Sequence, residues 1–160
     1  MRRRLLPLLL LALLLLPGCT GQSPEETGYD VYFLSKSGGE AALDAEVRTL
    51  QPEEDPVEGL LGLLLAGPEG ENLRRTIPEG VTLRSWTLEN GLLTVDLSGR
   101  YGSLSGVALT LADYSVVLTL TQVEGVEAVT VTAEGEQIPY RDHQRLTARD
   151  VQTQLPPEEE

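Results

Sequence analysis

The dipeptide Asn90-Gly91 limits the folds open to this chain more than any other feature, because it joins two runs of alternating character. Asn-Gly favours a two-residue hairpin loop, since both residues tolerate the positive φ such a turn requires. Folding Thr82–Glu89 back on Leu92–Leu97 sets Leu88 against Leu93, Trp86 against Val95 and Arg84 against Leu97. The alternate pairs are Thr87 with Thr94 and Ser85 with Asp96. Strand side chains alternate between faces, so one face of this hairpin is largely apolar and the other polar. That pattern predicts a sheet covered by helices on one side only.

The flanking segments supply the remaining elements. Tyr29–Leu34 is an aromatic and β-branched run ended by Ser37-Gly38-Gly39, a strand followed by a turn. Ala42–Leu50 alternates, with Leu43, Ala45 and Val47 expected inward and Asp44, Glu46 and Arg48 outward. Asp55-Pro56 opens a helix, Asp55 as N-cap, Pro56 at N1 and Glu58 at the third position of a capping box. Its leucines, Leu60 to Leu65, form a wide apolar arc stopped by Gly67-Pro68. After the Gly/Ser-rich loop Ser98–Gly106, residues Leu104, Ala108, Leu111, Ser115 and Leu118 recur at steps of four and three. This predicts a second helix although Val116, Val117 and the threonines favour strand. Ala128–Ala133 alternates as a last strand. The order β-β-α-β-β-α-β is an α/β (α+β) two-layer sandwich, a mixed sheet with both helices on one face. Apolar content then collapses, and residues 139–160 read as an acidic, disordered tail.

The N-terminus has a separate character. Arg2–Arg4 precede the aliphatic stretch Leu5–Leu16, whose 12 residues reach roughly 18 Å, short of the ~30 Å hydrocarbon core. This is the pattern of an export leader, residues 1–18, rather than a permanent span. Leu16-Pro17-Gly18-Cys19 resembles the lipobox of bacterial lipoproteins, in which the cysteine becomes the acylated N-terminus. Two acyl chains on Cys19 are expected to hold the protein on the outer face of the cell membrane. Residues 19–28 follow as a polar tether.

Composition excludes several functions. The formal net charge is −13, and without Arg2, Arg3 and Arg4 nine basic residues face 25 acidic ones. Such a field repels phosphate backbones, so nucleic acid is not an expected partner. One His and one Cys leave no material for thiol metal sites or internal disulfides, and no metal or cofactor is expected. His143 lies in the tail, and Gly102-Ser103-Leu104-Ser105-Gly106 carries Leu104 where a nucleophile elbow needs Ser. Asp96, Asp113 and Glu89 are the acids from which a glycan-cleaving pair could be drawn. Asp96 reads more simply as a solvated carboxylate on the polar sheet face. The loop Gly99–Gly102 could approach an anion at a helix start, but it lacks the Gly-Lys-Ser/Thr ending of a phosphate loop.

Five stretches in order resemble the GerMN domain, a family named for sporulation and spore germination. They are Val31–Leu34, the helix exit Leu64-Leu65-Ala66-Gly67-Pro68, the turn Thr76–Val81, the strand Asn90–Ser98 and the segment Leu118-Thr119-Leu120-Thr121-Gln122. The resemblance covers residues 29–138 and implies a fold related to the ring-building motifs of sporulation channel proteins. It implies no catalytic residues. The expected function is therefore a non-enzymatic, lipid-anchored envelope module that assembles with or binds a protein or wall polymer in sporulation or germination. Self-association into a homo-oligomer fits the same expectation. The alternative is a cell-wall glycan hydrolase or glycan-binding lipoprotein, and a third reading is an accessory subunit of an export system or signalling kinase.

Overall fold

The computed structural model describes residues 28–37, 42–139, 141 and 144–151. Strand β1 (Gly28–Ser35) pairs antiparallel with β2 (Leu43–Thr49) and, at its end, with the two-residue β3 (Leu73–Arg74). Helix α1 (Pro56–Ala66) lies between β2 and β3 in sequence. The hairpin of β4 (Leu83–Glu89) and β5 (Leu92–Leu97) leads through a single turn, α2 (Gly99–Gly102), into α3 (Gly106–Leu120). Strand β6 (Ala128–Ala133) then runs parallel to β5, and β7 (Glu136–Gln137) folds back on β6.

The mixed α+β class and the order of the main elements are as the sequence predicts. The single sheet is not. Among the described residues the strands form two sheets, β2-β1-β3 and β4-β5-β6-β7, with α3 packed against both β1 and β6. The division arises at β1, where the edge left open by the short β3 is filled by helix side chains instead of another strand.

Helix α1 starts as its sequence dictates. The Asp55 carboxylate accepts from the Val57 and Glu58 amides at 2.9 and 3.0 Å, and Gly67 ends the helix at φ 88°. Glu58 does not close a capping box; its Oε1 accepts from the Trp86 indole at 3.3 Å. The Arg75 guanidinium donates to the Leu65 and Ala66 carbonyls, satisfying acceptors that the helix end leaves open.

Helix α3 buries more than a stripe. Leu109, Ala112, Val116 and Leu120 are in the core, whereas Ala108, expected inward, is exposed. A helix flanked by two sheets has apolar neighbours on several sides, so its periodicity is blurred. The core joins Val31 and Phe33 of β1, Leu60, Leu61 and Leu64 of α1, and Leu93, Val95 and Leu97 of β5.

Two alternation readings change. In β2 the register sets Glu46 opposite the fully buried Val31 and Val47 opposite Asp30, so Val47 points outward and is 70% exposed. Glu46 turns inward because it has partners there: the Glu69 and Gly70 amides and the Arg48 guanidinium. In β4 a bulge separates Leu83 from Ser85, and Leu83, not Arg84, faces Leu97. The extra residue keeps an arginine off the apolar face and turns it towards Asp96 at 3.2 Å and Glu134 at 3.5 Å. The pairs Trp86–Val95, Thr87–Thr94, Leu88–Leu93 and Ser85–Asp96 stand as expected.

The chain also stays on the fold past Ile138, where the sequence put the end of the domain. Leu146 exchanges two backbone hydrogen bonds with Val129, at 2.8 and 3.0 Å, and Arg141 is buried beneath it. Arg141, Leu146, Val151 and the Gln144 side chain, which donates to the Ile138 carbonyl, hold this segment, too scattered a set to register as an element in sequence. Cys19, His143, most of the 19–28 tether and the acidic end of the tail lie outside the described residues.

Candidate functional site

The acids singled out in sequence do not converge. Asp96 and Thr94 share the solvent face of β5, while Leu93, Val95 and Leu97 face the core and α3. Asp113 stands on α3, on that core side. The two carboxylates therefore lie on opposite faces of one sheet and cannot flank a common bond. Glu89 sits at the hairpin end of β4, exposed.

Both Asp96 and Asp113 are committed to the fold. Asp96 Oδ1 accepts from the Thr132 hydroxyl at 2.9 Å and the Gly135 amide at 2.7 Å, fixing the β6–β7 turn. Asp113 is 5% exposed and its Oδ1 meets both the Tyr101 hydroxyl, at 2.7 Å, and Arg141 Nη2, at 2.6 Å. Burial pushes the Asp113 carboxyl above its ordinary value, against the pull of Arg141 and of the Tyr101 hydrogen bond. Burial, and then the Asp113 charge, push the Tyr101 hydroxyl well above its usual range, so it remains a donor. The recess bounded by Asp113, Val131, Arg141 and Leu146 leaves no space for a water molecule.

The loop 98–106 offers no open cradle either. Its start is the short α2, whose first amide, on Gly99, already donates to Glu134 Oε1 at 3.3 Å. Ser98 instead ties the hairpin base, its hydroxyl accepting from the Thr82 amide at 3.0 Å and its amide donating to the Thr82 carbonyl at 2.9 Å. No cluster of three or more His, Cys, Asp or Glu among the described residues could hold a metal ion. No helix among them is long and apolar enough to cross a membrane.

The sheet edges carry the functional question, because an unpaired edge is the part of a sheet that can receive another chain. Two edges are closed by side chains. On β1, the Asp30 amide and carbonyl bond to Gln122 at 3.0 and 2.6 Å, and those of Tyr32 bond to Thr119 and Ser115 at 3.1 and 2.8 Å. Ser115 and Thr119 lie at i and i+4 on one face of α3, Gln122 follows just past its end, and together they act in place of a strand. On β6, β7 covers one end, Leu146 the other, and Arg141 Nη1 reaches the Val131 carbonyl between them.

Two edges remain. On β2 the outward amide of Ala45 is already taken by the Asp44 carboxylate at 2.8 Å. On β4 the phase follows from β5: the Leu97 carbonyl accepts from Glu134, so odd residues of β5 bond towards β6 and even ones towards β4. Thr87 and Glu89, opposite Thr94 and Leu92, then bond to β5, and the backbone groups of Trp86 and Leu88 point away from the sheet. No side chain among the described residues caps them.

Two sheets bridged by a helix, with their charged side chains engaged in turns, caps and edges, make this an α+β domain whose free chemistry is at a strand edge. The chain belongs to the Germane family, described as sporulation and spore germination, which it matches over residues 30–139. The first GerMN domain of the sporulation protein GerM from Bacillus subtilis is similar in structure, with a TM-score of 0.66 at 20% identity over 78% of this chain and 99% of that domain. The tandem GerMN domains of the same protein align equally well, this chain spanning 47% of their length. At that identity the likeness speaks for the fold. No curated protein matches the chain by sequence. Membership gives the chain a role related to sporulation or germination, in a family without known enzymatic activity.

The motifs that carried the resemblance now have physical roles. Thr119 and Gln122 of the Leu118–Gln122 segment seal β1, and Asp96 and Ser98 of the Asn90–Ser98 strand fasten turns. Arg141 escaped sequence reading because its partner, Asp113, is 28 residues away and its neighbours resemble a tail. The β1 seal left a legible trace, two polar residues at helical spacing within an apolar helix and a third just past its end.

Proposed function

We propose that this chain is a non-catalytic docking module, held by acylated Cys19 on the outer face of the cell membrane, that binds an envelope protein during sporulation or germination. The observation that carries this reading is the division of labour among its polar side chains. Asp96, Asp113, Tyr101 and Arg141 all serve the fold, on two sides of one sheet, while the backbone groups of Trp86 and Leu88 are left facing outward. Backbone groups of that kind recognise another chain rather than transform a substrate. The leader at residues 1–18 and the Cys19 context support anchoring.

Crosslinking of the anchored protein in intact sporulating and vegetative cells, followed by mass spectrometry, tests docking. A reproducible envelope partner linked through the domain is the expected result. Its absence in both cell states, or free cytosolic protein with an unmodified Cys19, contradicts the proposal.

A further inference from the structure

We infer that the β4 edge receives a short, extended, basic protein segment as an added strand, an inference that rests on the docking reading above. The edge presents the amides and carbonyls of Trp86 and Leu88, and the bulge before Ser85 and the turn at Asn90-Gly91 limit it to a few residues. Only a short partner strand fits between those stops. Trp86 and Leu88 lie on the apolar face of the hairpin, opposite the fully buried Val95 and Leu93, yet Leu88 is 37% exposed. A strand paired here would set apolar residues beside Trp86 and Leu88, and every second residue would fall on the polar face with Thr87.

Charge decides which strand. Glu89 shares the Thr87 face of β4, where every second partner residue would fall. The Glu127 carboxylate lies against Gly91 in the hairpin turn, and the Glu58 carboxylate at the Trp86 indole adds its charge from the other face. The one arginine of β4, Arg84, lies in the bulge at the far end of the edge and is matched by Asp96 and Glu134. The local field is therefore negative, like that of the whole chain, and it selects a segment alternating apolar residues with Lys or Arg. On the β2 edge the Ala45 amide is capped by Asp44, and the nearest cation, Arg48, is shared between Glu46 and Glu69 at 2.7 and 2.8 Å.

Trp86 is the only tryptophan of the chain, so its emission reports on this edge directly. The full chain in non-ionic detergent is titrated with three nine-residue probe peptides. One alternates Val and Lys, one has the same composition in shuffled order, and one alternates Val and Glu. The alternating Val/Lys peptide alone should bind and shift the emission of Trp86. Leu88→Pro removes an outward amide without costing a bond to β5, and Leu88→Lys keeps the backbone but not the apolar surface. Each should weaken binding roughly tenfold, with circular dichroism unchanged in at least the lysine variant.

Absence of Val/Lys binding overturns the inference while leaving docking to be judged by the cellular crosslinks. Equal binding of the shuffled or the Val/Glu peptide, or binding unaffected by Leu88→Lys, overturns it too. So does concentration-dependent dimerisation by light scattering that Leu88→Lys abolishes, since a second copy would then own the edge.

Discussion

Asp113 is a charge that the fold must keep paired. Removing one partner of a buried ion pair leaves the other uncompensated, so Arg141→Ala should lower unfolding free energy by about 3 kcal/mol in urea denaturation. The pH dependence has two parts of opposite sign. Burial raises the Asp113 carboxyl in the folded state, so the folded form keeps its proton to higher pH than the unfolded chain. The contribution of Asp113 is therefore most favourable below its ordinary value and declines as pH rises through the window up to the folded value. Glu46 runs the other way. Partial burial pushes it up, but the Glu69 and Gly70 amides and Arg48 outweigh that and hold it below its ordinary value. Its contribution is present above the ordinary carboxylate range and lost as pH falls through the lowered one. Urea midpoints measured against pH should decline less as pH rises through the Asp113 window in Asp113→Asn, and less as pH falls through the Glu46 window in Glu46→Gln. Asp113 and Glu46 were visible in sequence as acids, but their partners were not, since pairing over tens of residues leaves no local pattern.

The edge seals and close approaches can be tested as elements. Ser115 and Thr119 are fully buried and each satisfies a backbone group of Tyr32. Ser115→Ala and Thr119→Val should each cost about 1 to 2 kcal/mol, the penalty for a buried polar group left without its partner. Hydrogen exchange provides the specific check: the Tyr32 amide should lose protection in Thr119→Val and keep it in Ser115→Ala. Helix α2 approaches β6 so closely that a Cβ on Gly102 would stand 2.9 Å from that of Ala133. Gly102→Ala should therefore destabilise by about 1 kcal/mol or more, read from the same denaturation curves. At this scale much was legible. The Asn90-Gly91 turn, with φ of 50° and 80°, fixed four of the five β4–β5 pairs expected. The bulge at Arg84 was not, because it depends on which of two adjacent side chains the core accepts. The faces of β2 were misread for a related reason, since alternation cannot say whether a glutamate has amides waiting inside.

For the whole molecule, class and element order followed from periodicity, but the number of sheets did not. A strand run looks the same whether its edge meets another strand or a helix bearing Ser, Thr and Gln. The candidate surface was even less legible: an edge becomes a site only once the direction of its backbone groups and the charges around it are known. Anchoring is testable at this scale. Cys19→Ser should move the protein from the membrane fraction to the soluble fraction on cell fractionation, with the domain still folded. Purified wall incubated with the intact chain should release no reducing sugar, and Asp96→Asn should leave that result unchanged.

The ion pair beneath Leu146 also orders the closing of the fold. Arg141 lies 28 residues beyond Asp113, near the end of the described chain. Until that late segment docks, the rest of the domain can bury the Asp113 carboxylate only at the cost of an unbalanced charge. The last turn of chain is thus a latch, and closing it completes a core that the earlier elements leave unfinished.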